Sequence, residues 1–250
     1  MSRDILSRKD YNRVISVGEN GFIDDAACPD DLRSYSERLK HDRRIKKVLI
    51  PKECLTKRIS ALAGEIANDV PPNQALHIMI VLTGAIFFAV DLGRELYARA
   101  GIDVQFHLIK TSVYGDSIKK PEEHRREVKL ELEPKGIADK DILVVEDITD
   151  QGFTLSWLKN YLLLQRKVSS VRICCLLDKE LENPAVEIRK MREQLRLDYT
   201  GFKIPDVWVA GYGVDVAQEL RNLPCIVAIN EALYHKNPDV DTSLVFTGHR

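Results

Sequence analysis

The sequence predicts an α/β fold built on a doubly wound, mostly parallel sheet. Three observations carry that expectation. Short apolar runs rich in β-branched residues recur at 48–50, 76–82, 104–109, 142–145, 171–177, 207–209 and 226–229. Amphipathic segments with helical spacing lie between several of them. Two of the runs pass into the following segment through a turn that carries a glycine, Gly84 and Gly152. Apolar strands alternating with helices need cover on both faces, and a parallel sheet with crossover helices supplies it.

In chain order, residues 1 to about 44 mix both charges, include Gly18, Gly21 and Pro29, and offer one weak helix on Leu32, Tyr35 and Leu39. The division expected is an N-terminal extension over 1–46, one domain over 47–235 and a tail over 236–250. Run 48–50 leads to a helix with Ile59, Leu62, Ala63 and Ile66 on one face. Run 76–82 leads through Thr83-Gly84 to a helix with Phe88, Leu92, Leu96 and Tyr97 on its apolar face. Run 104–109 ends in Lys110-Thr111-Ser112-Val113-Tyr114, an aromatic-hydroxyl cluster opening the charged segment 115–126. Such a segment suits a lid that excludes water from a reactive centre. Run 142–145 ends in Glu146 and Asp147. Asp150 then opens the turn Gln151-Gly152-Phe153-Thr154 into a helix bearing Leu155, Leu158 and Leu162. Run 171–177 ends in Asp178-Lys179, and 183–196 reads as a charged, exposed helical insertion.

Composition bounds the function. Hydrophobic content of 44% with 30% charged residues is that of a soluble globular protein. A formal net charge of −1 sets up no field that would recruit nucleic acid or an anionic membrane. No run is long enough to span a bilayer, and the first residues open no signal-peptide pattern, so a cytoplasmic location is expected. The five cysteines include no Cys-x-x-Cys pair, and Cys174 and Cys175 lie within an apolar run. Buried thiols in a reducing compartment are expected there, not a zinc site or a disulfide. The six histidines, His107 among them, form no metal-ligand spacing and read as structural.

The chemistry-bearing residues gather at the strand ends. The helix start after Gly152 offers backbone N–H groups and a favourable dipole to an anion. The acids beside it suit the hydroxyls of a phosphorylated sugar, with or without a divalent cation. Lys179 can donate to an acceptor on a base. The segment 201–215 supplies an aromatic for a flat heterocycle and an acid, and Arg221 after it can clamp phosphate.

Together these segments, spanning about 48–229, resemble the hypoxanthine-guanine phosphoribosyltransferase family. The resemblance implies the type I phosphoribosyltransferase fold with a small hood, and transfer of the 5-phosphoribosyl group from phosphoribosyl diphosphate to a 6-oxopurine with Mg²⁺. It implies a purine-salvage enzyme making IMP or GMP, assembled as a homodimer or homotetramer, with no nucleic-acid or membrane partner. Glu146 and Asp147 would hold the ribose hydroxyls and metal-bound water, and Asp150 would be the catalytic group at purine N7. Gln151, Gly152, Phe153 and Thr154 would wrap the 5′-phosphate. Leu82, Thr83 and Gly84 would bind diphosphate, often through a non-proline cis peptide in this family, with Ser112, Tyr114 and Arg221. Lys179 would bond purine O6, Trp208 would stack on the base, and the Val209 carbonyl would meet the edge near C2. Asp215 would hold a second metal.

Three positions depart from the family pattern. Gln151 stands where a small hydroxyl residue is usual, Phe153 where a polar or basic one is frequent, and Thr83 where lysine is common. Losing one hydroxyl contact to phosphate costs on the order of 1 kcal/mol, which tunes such a site without disabling it. The same fold also serves nucleotide-sensing regulators without catalysis. That reading calls for a basic face or a DNA-binding module. The first 47 residues contain Arg43, Arg44, Lys46 and Lys47, but Asp24, Asp25, Asp30, Asp31 and Asp42 share that stretch and it shows no helix-turn-helix pattern.

Overall fold

Period-two alternation along the central strands, with both faces apolar, organises the protein. The computed structural model describes residues 14–17, 38–72, 74–114 and 127–234. Its elements run β1 (Ile15–Ser16), β2 (Ile45–Ile50), α1 (Lys52–Asn68), β3 (Leu76–Leu82), α2 (Ile86–Ala100), β4 (Val104–Tyr114), β5 (Glu127–Leu132), β6 (Asp141–Thr149), α3 (Phe153–Asn160), β7 (Ser170–Glu180), α4 (Val186–Gln194), β8 (Tyr199–Pro205), β9 (Val209–Ala210) and β10 (Ile226–Ile229). Ile78 and Ile80 of β3 join one core cluster with Leu62 of α1 and Phe88 and Leu92 of α2. Met79 and Val81, one residue out of step, join a second cluster with Leu155 and Leu158 of α3. Successive strand residues point to opposite faces, so these two clusters are the two sides of a helix-covered sheet.

Seven strands form that sheet in the order β1-β8-β7-β6-β3-β4-β5. All neighbours are parallel except β5, which runs against β4. From β3 the chain first moves to β4 on one side, then returns to β6 on the other. The switch in strand order therefore lies between β3 and β6, where open α/β sheets bind their ligands at the carboxyl ends of the strands. A second, antiparallel sheet of β2, β10 and β9 forms a small hood over its own core of Ala210, Val216, Val227 and Ile229.

Several expectations change. β6 and β7 run past their apolar stretches to Thr149 and Glu180, because the parallel ladder continues through Ile148↔Leu177 and Thr149↔Asp178. Glu146, Asp147, Asp178 and Lys179 thus lie within strands, not beyond them. The run 207–209 contracts to Val209–Ala210, with the Trp208 carbonyl accepting a hydrogen bond from Ile229 N at 2.9 Å. Tyr97 is 68% exposed and leaves the apolar face of α2 to Phe88, Leu92 and Leu96. Strands β1, β5 and β8 were not expected. Ile15 and Val17, from the segment assigned to the extension, are buried against the main core, and Leu39 is buried in the hood. The boundary at residue 46 falls inside β2. Arg58, wholly buried on α1, donates to the carbonyls of Gly201 (3.0 Å) and Thr200 (2.7 Å) and pairs with Glu65, binding that helix to β8.

Candidate active site

Parallel register assembles the site. β8, β7, β6 and β3 end side by side, so residues at their carboxyl ends become neighbours whatever their separation in sequence. Lys179 pairs in register with Ile204 on one side of β7, and Asp178 with Thr149 on the other. The Lys179 ammonium consequently lies between a carboxylate from each flanking strand end, 3.9 Å from Asp150 Oδ2 and 3.6 Å from Asp206 Oδ1. Its side chain is only 4% exposed. A buried ammonium is stable only with such partners. Asp206, within the segment 201–215, has no role assigned to it by the sequence alone, and the structure brings it to Lys179.

The paired acids lie one strand over. Burial pushes the Glu146 carboxyl well above its usual range, and the adjacent Asp147 charge pushes it further. Burial raises Asp147 as well, opposed by hydrogen bonding from Glu146 and by the positive charge of Arg221. Two buried carboxyls this close compete for one proton until a cation or hydroxyl donors arrive. Glu146 Oε2 has no hydrogen-bond partner among the described residues, which suits a ligand donor or a metal-bound water. Among the described residues no three His, Cys, Asp or Glu side chains form a metal-binding group. Magnesium is commonly held by one or two carboxylates, several waters and substrate phosphates, so this donor set fits it. Below the pair, Thr149 Oγ1 donates to Cys175 Sγ at 3.0 Å, and burial raises the thiols of both Cys174 and Cys175. They are the inert, buried thiols expected.

Glycine makes the next contacts possible. The Leu82–Thr83 peptide is cis, and Gly84 follows with its Cα against the Asp147 carboxyl. A Cβ at Gly84 would lie 1.8 Å from Asp147 Oδ2. From the hood, Gly213 adopts φ 104° and packs on the Gly84 carbonyl, where a Cβ would come within 1.9 Å. The diphosphate-loop candidate is thereby seated between β6 and the hood. Neither α2 nor α3 has a side-chain hydrogen bond capping its N-terminus, and Gly152 opens α3 at φ 84°. Both helix starts offer backbone donors at the switch point.

The hood contributes Arg221, whose Nη1 donates to the Gly213 carbonyl at 2.7 Å and whose Nη2 pairs with Asp215 Oδ1 at 2.6 Å. Asp215 Oδ2 also accepts from Gln218 N at 2.7 Å. Trp208 is half-buried with its ring 6.5 Å from that of Tyr234, and Val209 is buried in β9. Gln151 Oε1 is buried without a hydrogen-bond partner among the described residues, and Phe153 and Thr154 are half-buried in the first turn of α3. The side chains of Ser112 and Tyr114, and the whole expected lid 115–126, lie outside the described residues.

The insertion adds what the sequence reading missed. Helix α4 buries none of its residues, yet Arg192 pairs with Asp178 and donates to the Lys179 carbonyl at 3.3 Å. Only the placement of α4 beside the ends of β7 and β8 makes that visible.

The chain is similar to known proteins. A family model described as a phosphoribosyl transferase domain matches residues 52–217, more than half of the chain. A hypoxanthine-guanine phosphoribosyltransferase of Bacillus subtilis is 35% identical over 196 residues, covering 78% of this chain and 98% of that protein. A hypoxanthine phosphoribosyltransferase of Escherichia coli is 33% identical over 181 residues, covering 72% and 92% respectively. Among solved structures, a hypoxanthine phosphoribosyltransferase of Staphylococcus aureus superposes with a TM-score of 0.65 at 28% identity, covering 78% of this chain and 97% of that one.

Proposed function

The chain belongs to the phosphoribosyltransferase family, and on that premise we propose that it transfers the 5-phosphoribosyl group of phosphoribosyl diphosphate to hypoxanthine or guanine. The products are IMP or GMP and diphosphate, a purine-salvage reaction. The observation that carries the choice of base is the buried Lys179 ammonium at the ligand-binding edge of the sheet. A 6-oxo group accepts a hydrogen bond from it, whereas a 6-amino group is itself a donor and cannot accept one.

The chemistry follows from where charge develops. The bond from ribose C1 to the diphosphate breaks, purine N9 forms a bond to C1, and the purine gives up one proton. Asp150 accepts or shares that proton at N7. Glu146 and Asp147 hold the ribose hydroxyls. Backbone donors of Gln151, Gly152 and Phe153 and the Thr154 hydroxyl wrap the 5′-phosphate. Thr83, Gly84 and Arg221 receive the negative diphosphate, with Ser112 and Tyr114 on the segment that closes over it. Trp208 stacks on the base and the Val209 carbonyl meets its C2 edge. Glu146 and Asp147, with Asp215 for a second ion, would hold Mg²⁺, which when bound would add charge stabilisation of the leaving group. Collecting both substrates in one cleft lowers the entropic cost of their encounter.

The names of the relatives and the retention of Glu146, Asp147 and Asp150 favour an enzyme; a non-catalytic regulator finds no support. No helix among the described residues is long and apolar enough to cross a membrane, which is compatible with a cytoplasmic enzyme. The exposed Phe106 and Leu108 on one face of β4 are compatible with a homodimer or homotetramer. Lys179→Ala tests the assignment: the KM for hypoxanthine should rise far more than that for phosphoribosyl diphosphate. An unchanged purine KM would count against it.

A further inference from the structure

We infer that Arg192, carried by the inserted helix α4, is a positioning residue that links the base and 5′-phosphate subsites. The inference rests on the proposed reaction. Three contacts of this one side chain support it. Its guanidinium pairs with Asp178, the residue directly before Lys179 on β7. The same Nη2 donates to the Lys179 carbonyl at 3.3 Å. Its aliphatic stem lies against Gly152, the residue at φ 84° that opens α3: a Cβ there would be 3.2 Å from Arg192 Cδ and 3.1 Å from Leu195 Cδ2.

The arrangement divides the side chain into two parts with two tasks. The charged end fixes the backbone from which Lys179 projects toward its partners Asp150 and Asp206. The apolar stem and Leu195, itself buried in the core cluster beneath α3, close the outer side of the phosphate turn. Long cationic side chains routinely act in this divided way, packing with the stem and bonding with the head. Asp178 and Arg192 are both largely buried, at 13% and 20% side-chain exposure, so their charge-assisted contact is not an ordinary solvated surface pair. An exposed insertion has thereby been recruited to the rim of the site.

The test uses two variants of the full chain, each assayed for both substrates beside the wild type. Arg192→Met keeps an apolar stem and removes the guanidinium. It should raise the KM for hypoxanthine about tenfold, lower the preference for hypoxanthine over adenine, and leave the KM for phosphoribosyl diphosphate within about twofold. Arg192→Ala removes both parts and should raise both KM values. Equal KM changes in the two variants, or a lowered Tm with neither KM moved, would overturn the inference. A wild-type protein without phosphoribosyl transfer would instead refute the proposed function on which it rests.

Discussion

The carboxyl edge of the main sheet and the hood loop face the same cleft but are built by different means. At the sheet edge, Asp147, Asp150, Lys179 and Asp206 are aimed by parallel register, and ladder hydrogen bonds fix the backbone beneath them. In the hood, Asp215 and Arg221 sit on irregular chain. Gly211, Tyr212, Gly213, Ala217, Gln218 and Leu220 all adopt positive φ, and the loop closes through Tyr212 N to the Leu223 carbonyl and Gly213 N to the Arg221 carbonyl. The edge is rigid and loaded with buried charge. The hood is held by local turns, by Gly213 on the carbonyl of Gly84 and by the Tyr212 hydroxyl, which donates to Asp91 Oδ2 on α2 at 2.6 Å. On the proposed reaction the difference suits them to different work: proton transfer and base recognition need fixed geometry, whereas leaving-group capture tolerates a part that closes on the ligand.

Asp150→Asn should break the edge most severely. The amide keeps the shape and still hydrogen-bonds, but is a far weaker base, so kcat should fall by about 10²–10⁴ with little change in binding of phosphoribosyl diphosphate. Single-turnover kinetics at near wild-type rate would remove Asp150 from the mechanism.

The Gly84–Gly213 contact allows the two regions to be perturbed from either side. Gly84→Ala drives a methyl into the Asp147 carboxyl, and Gly213→Ala drives one into the Gly84 carbonyl while forcing an alanine to φ 104°. Each should raise the KM for phosphoribosyl diphosphate more than that for the purine. Each should also cost about 1–3 kcal/mol in denaturant unfolding, Gly213→Ala the more because of its backbone angle. A normal diphosphate response in both would mean that the hood does not seat this loop.

Glu146→Gln should give the smallest and most informative effect. Folding raises the carboxyl's pKa, so the ionised form costs stability above the ordinary value of 4.5 and nothing below it. At neutral pH the glutamine variant should unfold at a higher Tm than the wild type, while ribose binding weakens. The gap should close as pH falls toward 4.5. A variant less stable than the wild type at neutral pH would show that the buried charge is already compensated without ligand.

The same contrast explains how much was legible in the sequence. The elements Glu146–Asp150, Gly84 and Gly152 were readable because their chemistry is local: an apolar strand, a turn and a helix start in one stretch of chain. Lys179 was readable as a residue but not as a buried one, since Asp150 and Asp206 reach it only through the β6–β7–β8 register, which a single sequence does not specify. Strand β5 did carry its signal, with Val128, Leu130 and Leu132 alternating with Glu127, Lys129 and Glu131. Its closeness to the charged segment 115–126 concealed it. Tyr97 was assigned to the core face because it follows Leu96, although one helical residue turns about 100° away from that face. Arg192 lies in a stretch whose charge pattern is that of any solvated helix, and only its contacts with Asp178 and the Lys179 carbonyl of β7 distinguish it.

The central claim is that a buried ammonium at the carboxyl edge of the main sheet selects a 6-oxopurine for phosphoribosyl transfer. Its most direct test is a spectrophotometric assay of the wild-type protein with phosphoribosyl diphosphate, Mg²⁺ and hypoxanthine, guanine or adenine in turn. The account predicts IMP and GMP formation with stoichiometric diphosphate, and kcat/KM for adenine lower by about two orders of magnitude or more. Adenine turned over as well as hypoxanthine, or no nucleotide formed from any purine, would contradict it.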